Sequence, residues 1–171
     1  MYEELKIDLE NKFSISFEVM RERRIKIIID KKQAIPFLSY IKSKGFIHLT
    51  AISCVDWIEE GKFEIVYHLW SYSNKIHIIL KTKIDRKNPL FETASFVYPV
   101  AQTFERDIHE MFGVDFKGNK RQIPFILEDW DAAPPMRKDF DPVNYSKEHF
   151  ETEQYTEEIE TKVRKSQRFR E

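Results

Sequence analysis

Three β-rich runs separated by very short polar links constrain the fold of this chain more than any other feature of its sequence. The runs are FIHLTAISCVDW, KFEIVYHLWSY and KIHIILKTKI, at residues 46–57, 62–72 and 75–84. The links between them are EEG at 59–61 and SN at 73–74. Because links of this length join antiparallel neighbours, the sequence predicts a three-stranded antiparallel meander.

The segments before the meander predict a helix and two further strands. Residues 2–12 carry Leu5 and Leu9 four positions apart, with acidic residues early and a lysine late, as in an amphipathic helix. Apolar and polar residues then alternate from Phe13 to Val19 and again from Arg24 to Asp30. Two strands joined by a short turn are the simplest interpretation.

Helical periodicity returns on both sides of the meander. From Lys31 to Lys44, apolar residues recur at helical spacing, with Pro36 expected in the first turn and Gly45 as the stop. The segment from Leu90 to Gly113 is also expected to be helical, with an interruption at Pro99. Its packing stripe is predicted to contain four apolar residues: Val100, Phe104, Ile108 and Met111.

Length and composition exclude several classes of protein. A chain of 171 residues is long enough for one domain with a sizeable core. The single cysteine, Cys54, cannot form an intrachain disulfide or hold an iron–sulfur cluster or zinc ribbon alone. The N-terminus has no apolar signal region, and no apolar run approaches the length of a membrane span. We therefore expect a soluble, cytoplasmic chain that contacts a membrane only through partners.

The residue types used in catalysis do not form a convincing active site in this sequence. The five histidines lack metal-ligand spacing, although His68 and His77 are placed to face each other across neighbouring strands. Cys54 lies within a predicted strand, where a thiol behaves as a small hydrophobe. We find neither a glycine-rich phosphate loop nor a GxSxG motif.

RNA binding is the main alternative from another functional class. The basic end KVRKSQRFR, residues 162–170, could contact phosphates, and Trp57, Tyr67 and Trp70 on strands could stack on bases. The net charge of −1, the acidic stretch that precedes this end, and the usual burial of strand aromatics favour another function.

The stretch TFERDIHEMFG, residues 103–113, places several charged residues on one predicted helix. It lacks the second histidine of the zinc-binding HExxH pattern, because Gly113 occupies that position. One interpretation is a solvated face with weak ion pairs. The other is a covered face, with Arg106 bidentate to a carboxylate.

Two elements of the sequence resemble the thirty-kilodalton subunit family of respiratory complex I, which also occurs in related dehydrogenases and membrane-bound hydrogenases. The first element is ERDIHEMFGVDFKGNKRQIPFIL at residues 105–127, where Asp107 replaces a longer acid and Gly118-Asn119-Lys120 stands where Gly-His-Pro is usual. The second is PPMRKDF at residues 134–140, with Met136 in a leucine position. The direct matches are Glu105, Arg106, Glu110, Met111, Phe112, Gly113, Pro135, Arg137, Lys138, Asp139 and Phe140.

The resemblance implies an α+β fold, with a mixed, largely antiparallel sheet backed by two to three helices and an extended C-terminal tail. We assign residues 1–127 to the α+β domain and residues 128–171 to a charged tail that wraps a partner subunit. The implied partners are a hydrogenase-like large subunit and an adjacent iron–sulfur subunit, in a hetero-oligomeric complex on the cytoplasmic side of the membrane. Neither nucleic acid nor direct membrane insertion is expected.

The resemblance also implies that this chain holds no cofactor and no catalytic centre, and that iron–sulfur clusters lie in its partners. The complex would be an NAD(P)H, coenzyme F(420) or ferredoxin dehydrogenase of the quinone oxidoreductase type, or alternatively a membrane-bound nickel–iron hydrogenase. The helix would be an assembly element with a charged outer face formed by Glu105, Arg106, Asp107 and Glu110. The acids of that face would pair with Arg137 and Lys138, or the face would dock on the large subunit. The predicted interface residues are Glu105, Arg106, Asp107, Glu110, Phe112, Gly113, Pro135, Arg137, Lys138, Asp139 and Phe140.

Overall fold

The computed structural model describes residues 2–150 and divides the chain into two units, with a boundary after Lys138. The first unit contains the helices α1 to α3 and the strands β1 to β7. The second begins at Asp139 and contains α4. The elements are α1 Tyr2–Lys12, β1 Ile15–Arg21, β2 Arg24–Ile29, α2 Lys31–Ser43, β3 His48–Trp57, β4 Lys62–Ser71, β5 Ile76–Asp85, β6 Leu90–Glu92, α3 Ala101–Phe112, β7 Asp115–Lys117 and α4 Pro142–His149.

Five of the strands form a mixed sheet in the order β1-β2-β5-β4-β3. The predicted meander is confirmed, because β3 pairs antiparallel with β4 and β4 pairs antiparallel with β5. The hairpin of β1 and β2 is also antiparallel, and it joins the meander through the parallel pair β2–β5. The predicted α+β class, with a largely antiparallel mixed sheet, is therefore confirmed.

Helices α1 to α3 cover one face of this sheet, and the other face, called the open face below, carries no helix of the first unit. Along β5, residues Ile76, Ile78, Leu80 and Ile84 are buried, whereas the intervening odd-numbered positions are half-buried or exposed. A single apolar cluster combines these inward residues with side chains from α1, α2 and α3. Alternation of this kind is what a sheet with one covered face requires.

Helix α2 begins and ends largely as predicted, but its proline lies deeper than expected. The Asp30 carboxylate accepts a hydrogen bond from the Lys32 backbone N–H at 2.9 Å and so caps the N-terminus. Pro36 is the sixth residue of the helix and not part of the first turn. Its exposed position lets water solvate the carbonyl that loses its helical donor. Beyond the C-terminus, Gly45 has a φ of +91°.

The prediction that the whole segment from Leu90 to Gly113 is helical is wrong for its first part. Residues Leu90–Glu92 form β6, which pairs in parallel with β7 after the helix. Helix α3 begins only at Ala101 and ends where Gly113 adopts a φ of +75°. Val100, predicted to pack on the sheet, is 47% exposed. The helix is therefore shorter than predicted and rotated relative to the expected stripe.

The C-terminal residues fall into three groups. Residues 128–138, which the sequence analysis placed in the tail, group with the first unit. In the second unit, Asp141 caps α4 through its carboxylate, and Pro142 occupies the first turn. Residues 151–171, which include about half of the predicted tail and its basic end, lie outside the described residues. Within residues 2–150 the structure contains no helix long and apolar enough to span a membrane.

The histidine pair on the open sheet face is arranged as predicted. The rings of His68 and His77 stack with centroids 5.4 Å apart, and the nearest ring nitrogens are 3.4 Å apart. Partial burial lowers the pKa of His68, and the nearby Arg24 lowers it further. Partial burial, His68 and Arg24 likewise lower the pKa of His77. Both rings therefore favour the neutral form in the folded chain.

We expect the free energy of unfolding to fall as pH drops from 7 to 5, because these histidines bind protons more readily in the unfolded chain. Their contribution is present above the ordinary histidine pKa of 6.5 and is lost as pH falls toward the lowered values. Replacing both, as His68→Gln with His77→Gln, should reduce this pH dependence in thermal unfolding curves. The exposed His48→Gln is the control. An unchanged slope in the double variant would contradict the prediction.

Candidate functional site

Helix α3 buries a carboxylate on its packing face. The buried residues of the helix are Ala101, Glu105, Ile108 and Phe112, which follow one another at spacings of four, three and four. Glu105 is fully buried within this stripe. It was predicted to lie on the charged outer face, and that prediction is wrong. The outward face of α3 therefore includes Arg106 but not Glu105.

Three donors surround the Glu105 carboxylate. The Thr93 hydroxyl and the Ala94 backbone N–H each donate to it at 2.6 Å, and the Asn119 side-chain amide donates at 3.0 Å. Burial raises the pKa of Glu105, while these three hydrogen bonds act in the opposite direction. The carboxylate thus ties the segment before α3 and the turn after β7 to the helix.

Arg106, one residue further along α3, binds backbone rather than a carboxylate. Its guanidinium donates to the carbonyl oxygens of Ile123 at 2.7 Å and Pro124 at 2.5 Å. The same group lies over the Phe125 ring, 4.4 Å from the centroid. The predicted fork geometry of Arg106 is present, but its predicted carboxylate partner is wrong.

Glu110 lies one turn beyond Arg106 and continues the same contact. Its carboxylate accepts from the backbone N–H groups of Ile126 at 2.9 Å and Leu127 at 2.5 Å. Partial burial raises the pKa of Glu110, but these backbone donors outweigh it and the net shift is downward. Arg106 therefore holds the carbonyl groups, and Glu110 the N–H groups, of one irregular stretch of chain.

Asp56, on β3, holds the far end of that stretch. Its buried carboxylate accepts from Arg86 at 2.8 and 3.0 Å and from the Lys138 backbone N–H at 2.9 Å. The Met136 backbone N–H also donates to the Met111 carbonyl at 3.0 Å. We call residues 118–138 the clamped segment, because side chains of the body bind its backbone near both ends.

Phe112 of α3 and Gly113, which follows the helix, also have internal contacts. The Phe112 ring packs edge-on against Phe63, with centroids 6.0 Å apart. A Cβ at Gly113 would lie 3.1 Å from a Pro134 ring carbon, so this position favours glycine for both its φ and its closeness to the clamped segment. Asp107 is half-buried, and burial followed by the neighbouring Glu110 raises its pKa.

The residues of PPMRKDF are divided by the boundary between the two units. Pro135 and Arg137 are half-buried in the first unit, where the Arg137 guanidinium lies 5.5 Å from the centre of the Phe63 ring. Asp139 and Phe140 belong to the second unit, in which Phe140 contacts the Tyr145 ring. The acids Glu105 and Glu110 bind backbone, hydroxyl and amide donors, in contrast to the expected pairing with Arg137 and Lys138.

The clamped segment turns apolar side chains outward while its backbone is held. Ile123, Ile126 and Met136 are 61%, 61% and 59% exposed, and Phe125 is 56% exposed. Beside them lies a concave cavity of about 810 Å³ whose lining includes Phe125, Leu127, Trp130 and Pro134. Exposed apolar groups beside a concavity are typical of a protein interface.

The remaining candidates for catalysis are explained by their surroundings. Cys54 is half-buried, and desolvation, followed by Asp56 and Glu64, raises its pKa to about 12. It packs against the core as predicted for a small apolar residue. Across residues 2–150, histidine, cysteine and acidic side chains form no cluster of three that could hold a metal ion.

Asn119 was recognised in the sequence only as a departure from a family pattern, and Asp56 and Thr93 were not singled out. Replacing Asn119 by alanine would remove one donor to a buried carboxylate, so we expect Asn119→Ala to lower the free energy of unfolding by about 1–3 kcal/mol. The matched control is Asn88→Ala at an exposed position. Denaturant unfolding measures both. Equal stability of the two variants would contradict the role assigned to Asn119.

Removing the Arg106 guanidinium should release the start of the clamped segment without unfolding the core. We expect Arg106→Ala to speed chymotrypsin cleavage after Phe125 by about 10-fold, because two charge-assisted hydrogen bonds are lost. Lys32→Ala, which removes an exposed cation from another helix, is the control. Cleavage of Arg106→Ala at the wild-type rate would show that the guanidinium does not hold the segment.

Comparison with known proteins identifies the family. Residues 27–146 match the family model described as "Respiratory-chain NADH dehydrogenase, 30 Kd subunit". The chain is 34% identical over 120 residues to a subunit of the F(420)H(2) dehydrogenase of Methanosarcina mazei, a match covering 69% of this chain and 76% of that protein. It is 30% identical over 115 residues to a subunit of the NADH-quinone oxidoreductase of Moorella thermoacetica, covering 67% and 78%.

A solved structure agrees with these relatives over a larger part of the chain. A chain in the structure of the membrane-bound sulfane sulfur reductase, an archaeal respiratory membrane complex, superposes with a TM-score of 0.80 and 37% identity. The match covers 86% of this chain and 90% of that one. The two elements noted in the sequence, residues 105–127 and 134–140, lie within the region that the family model matches. This chain is thus a member of the respiratory-chain NADH dehydrogenase 30 kDa subunit family.

Proposed function

We propose that this chain is a non-catalytic subunit in the peripheral arm of a complex I-like oxidoreductase, and that it docks on a hydrogenase-like large subunit through the clamped segment. Iron–sulfur clusters in its partners would carry the electrons. The chain itself would fix the relative position of those partners on the cytoplasmic side of the membrane. Electron transfer in such a complex would be coupled to ion translocation.

The observation that carries this proposal is the orientation of the clamped segment. Arg106, Glu110 and Asp56 direct their hydrogen-bonding groups to the backbone of the segment. The apolar side chains of the segment are left exposed. An irregular segment fixed in this way loses little conformational entropy when a partner covers it, so the apolar contacts favour binding more strongly.

The cavity beside the segment supports the same proposal. It has apolar walls, including Phe125 and Trp130, and carries acidic Glu128 and Asp129 at its lining. A partner segment that inserts an apolar side chain and places a basic residue beside it would complement both features. We infer that the docking surface of the large subunit has this composition next to the cavity.

Relatives of this chain are subunits of oxidoreductase complexes that bear different names. They include an F(420)H(2) dehydrogenase and an NADH-quinone oxidoreductase. The second candidate is the corresponding subunit of a sulfur-reducing or hydrogenase-type membrane complex. It is favoured by the TM-score of 0.80 and 90% coverage of a chain in the sulfane sulfur reductase structure. Both candidates give the clamped segment the same docking role.

The proposal predicts that this chain co-purifies with a large subunit and iron–sulfur subunits. A tag on the full chain, mild-detergent extraction from the source cells, mass spectrometry and iron analysis would measure this. Oxidation of NADH, coenzyme F(420)H(2) or ferredoxin by the recovered complex, and evolution of hydrogen or sulfide, would then separate the two candidates. Recovery of the chain alone and without iron would contradict the proposed function.

A matched pair of variants tests the docking surface itself. We expect the double change Ile123→Ser with Ile126→Ser to reduce recovery of the large subunit by about 10-fold, because two exposed apolar side chains leave the interface. The melting temperature of the isolated chain should not fall. Ile7→Ser, at a residue on α1 that is 57% exposed, is the control and should retain the large subunit. Wild-type recovery with the double variant would exclude this surface.

A further inference from the structure

The open face of the sheet carries a row of side chains that crosses all five strands in register. Arg21 of β1 is opposite Arg24 of β2, and Arg24 is opposite His77 of β5. His77 is in turn opposite Trp70 of β4, and Trp70 is opposite His48 of β3. Opposed residues lie on the same face about 5 Å apart. The row therefore begins with two guanidinium groups and ends with aromatic rings.

The arginine end of the row is electrostatically unfavourable in the isolated chain. Like charges directly opposite each other destabilise a sheet, yet Arg21 and Arg24 form such a pair. The register also shifts between Val19 and Arg21, as at a β-bulge, a feature that often re-aims side chains near functional sites. Burial lowers the pKa of His77 most, and His68, Arg24 and Arg21 lower it further, so both guanidinium groups lie near enough to act on His77.

Other cations on the open face are neutralised by acids of the chain. Lys26 forms an ion pair with Glu18, and Lys81 forms one with Glu64 at 2.7 Å. Among residues 2–150, no carboxylate forms an ion pair with Arg21 or Arg24. The uncompensated charge is therefore local. A long polyanion would find no continuous basic track across the face, whereas a compact anion would find one basic end.

The row lines a cleft of dimensions suited to a small ligand. The cleft has a volume of about 610 Å³, and its lining includes Arg21, Arg24, Trp70, Tyr72 and His77. It also includes Glu22, whose carboxylate forms an ion pair with Arg23 at 3.5 Å. The Tyr72 ring meets the Trp70 ring edge-on, with centroids 6.4 Å apart. Small-molecule sites commonly have volumes in this range and combine aromatic walls with a few polar groups. The cations and the aromatic wall lie at opposite ends of the cleft.

We propose that this cleft binds a nucleoside phosphate, with the phosphates at Arg21 and Arg24 and the planar base against Trp70 and Tyr72. Guanidinium groups bind phosphate oxygens in a bidentate manner, and bases stack on aromatic side chains irrespective of sequence. The arginines and the aromatic rings lie at opposite ends of the row. A ligand with an anionic group at one end and a planar ring at the other therefore matches it. Binding here is independent of docking through the clamped segment, which involves no residue of this row.

Calorimetric titration of the full chain with ADP tests the proposal, with inorganic pyrophosphate and adenosine as half-ligands. We expect saturable binding of ADP at one site, and affinities about 10-fold or more weaker for each half-ligand. No saturable binding of ADP would overturn the proposal. So would pyrophosphate binding as tightly as ADP, or a single-stranded oligonucleotide binding more tightly than ADP with a steep salt dependence.

Charge variants test the phosphate end. The double change Arg21→Gln with Arg24→Gln should weaken ADP binding by about 10- to 100-fold. It should not lower the melting temperature of the unliganded chain, because it relieves a like-charge contact. The control is Lys26→Gln with Lys83→Gln, which removes two other cations from the same face and should leave ADP affinity unchanged. Unchanged ADP affinity in the arginine variant would overturn the proposal.

Tryptophan variants test the base end in the same titration. We expect Trp70→Leu to weaken ADP binding about 10-fold and to leave the affinity for pyrophosphate unchanged, because only the base loses its stacking partner. Trp57→Leu, at the opposite end of β3, should affect neither ligand. Equal weakening of ADP and pyrophosphate by Trp70→Leu would overturn the placement of the base.

Discussion

The buried carboxylate of Glu105 determines which residues of α3 face inward and which face outward. Burial disfavours its charge, and only donors held in place compensate for that penalty. Those donors come from Thr93 and Ala94 before the helix and from Asn119 after it. Because Glu105 must face inward, the rotation of the helix is set, and Arg106 and Glu110 share one side at a spacing of four. The clamp on the segment follows from that rotation.

The backbone groups of any long irregular segment need hydrogen-bond partners, and Arg106, Glu110 and Asp56 supply some of them for the clamped segment. Residues 118–138 contain no strand or helix, so their backbone groups lack regular partners. Charged side chains of the body supply such partners at both ends, through Arg106 and Glu110 at one and Asp56 at the other. With the backbone bound inward, the apolar side chains have no core to enter. An exposed apolar surface, which we propose to be the docking surface, therefore arises from the hydrogen-bonding requirement of the segment.

How far the sequence predicts this structure depends on whether the relevant contacts are local. Alternation and short links predict the hairpin and the meander, because they reflect neighbours along the chain. The three-residue strand β6 was missed because it is too short to show a period and pairs with β7, more than 20 residues later. The packing stripe of α3 was misplaced because an acid occupies it. An acid is interpreted as exposed unless its donors are known, and Asn119 lies 14 residues away.

The interface prediction is limited in the same way, because it also depends on contacts that are not local in sequence. The family pattern drew attention to Glu105, Arg106 and Glu110. All three lie on α3, Glu105 facing inward and the other two on another side, and their hydrogen bonds are made within the chain. The motif thus marked the helix that binds the clamped segment, whereas the exposed apolar residues lie in the segment itself.

Charged side chains have internal hydrogen-bond partners beside the clamped segment, whereas two arginines on the open face of the sheet have no ion-pair partner among residues 2–150. At the clamp, Arg106 binds two carbonyl groups and Glu110 binds two N–H groups. Because both side chains bind the segment, the contacts we propose for a partner are made by the exposed apolar side chains of the segment. On the open face, Arg21 and Arg24 repel each other across a strand pair. Among residues 2–150 no carboxylate forms an ion pair with either arginine, so binding of an anion, as proposed above, would relieve that repulsion.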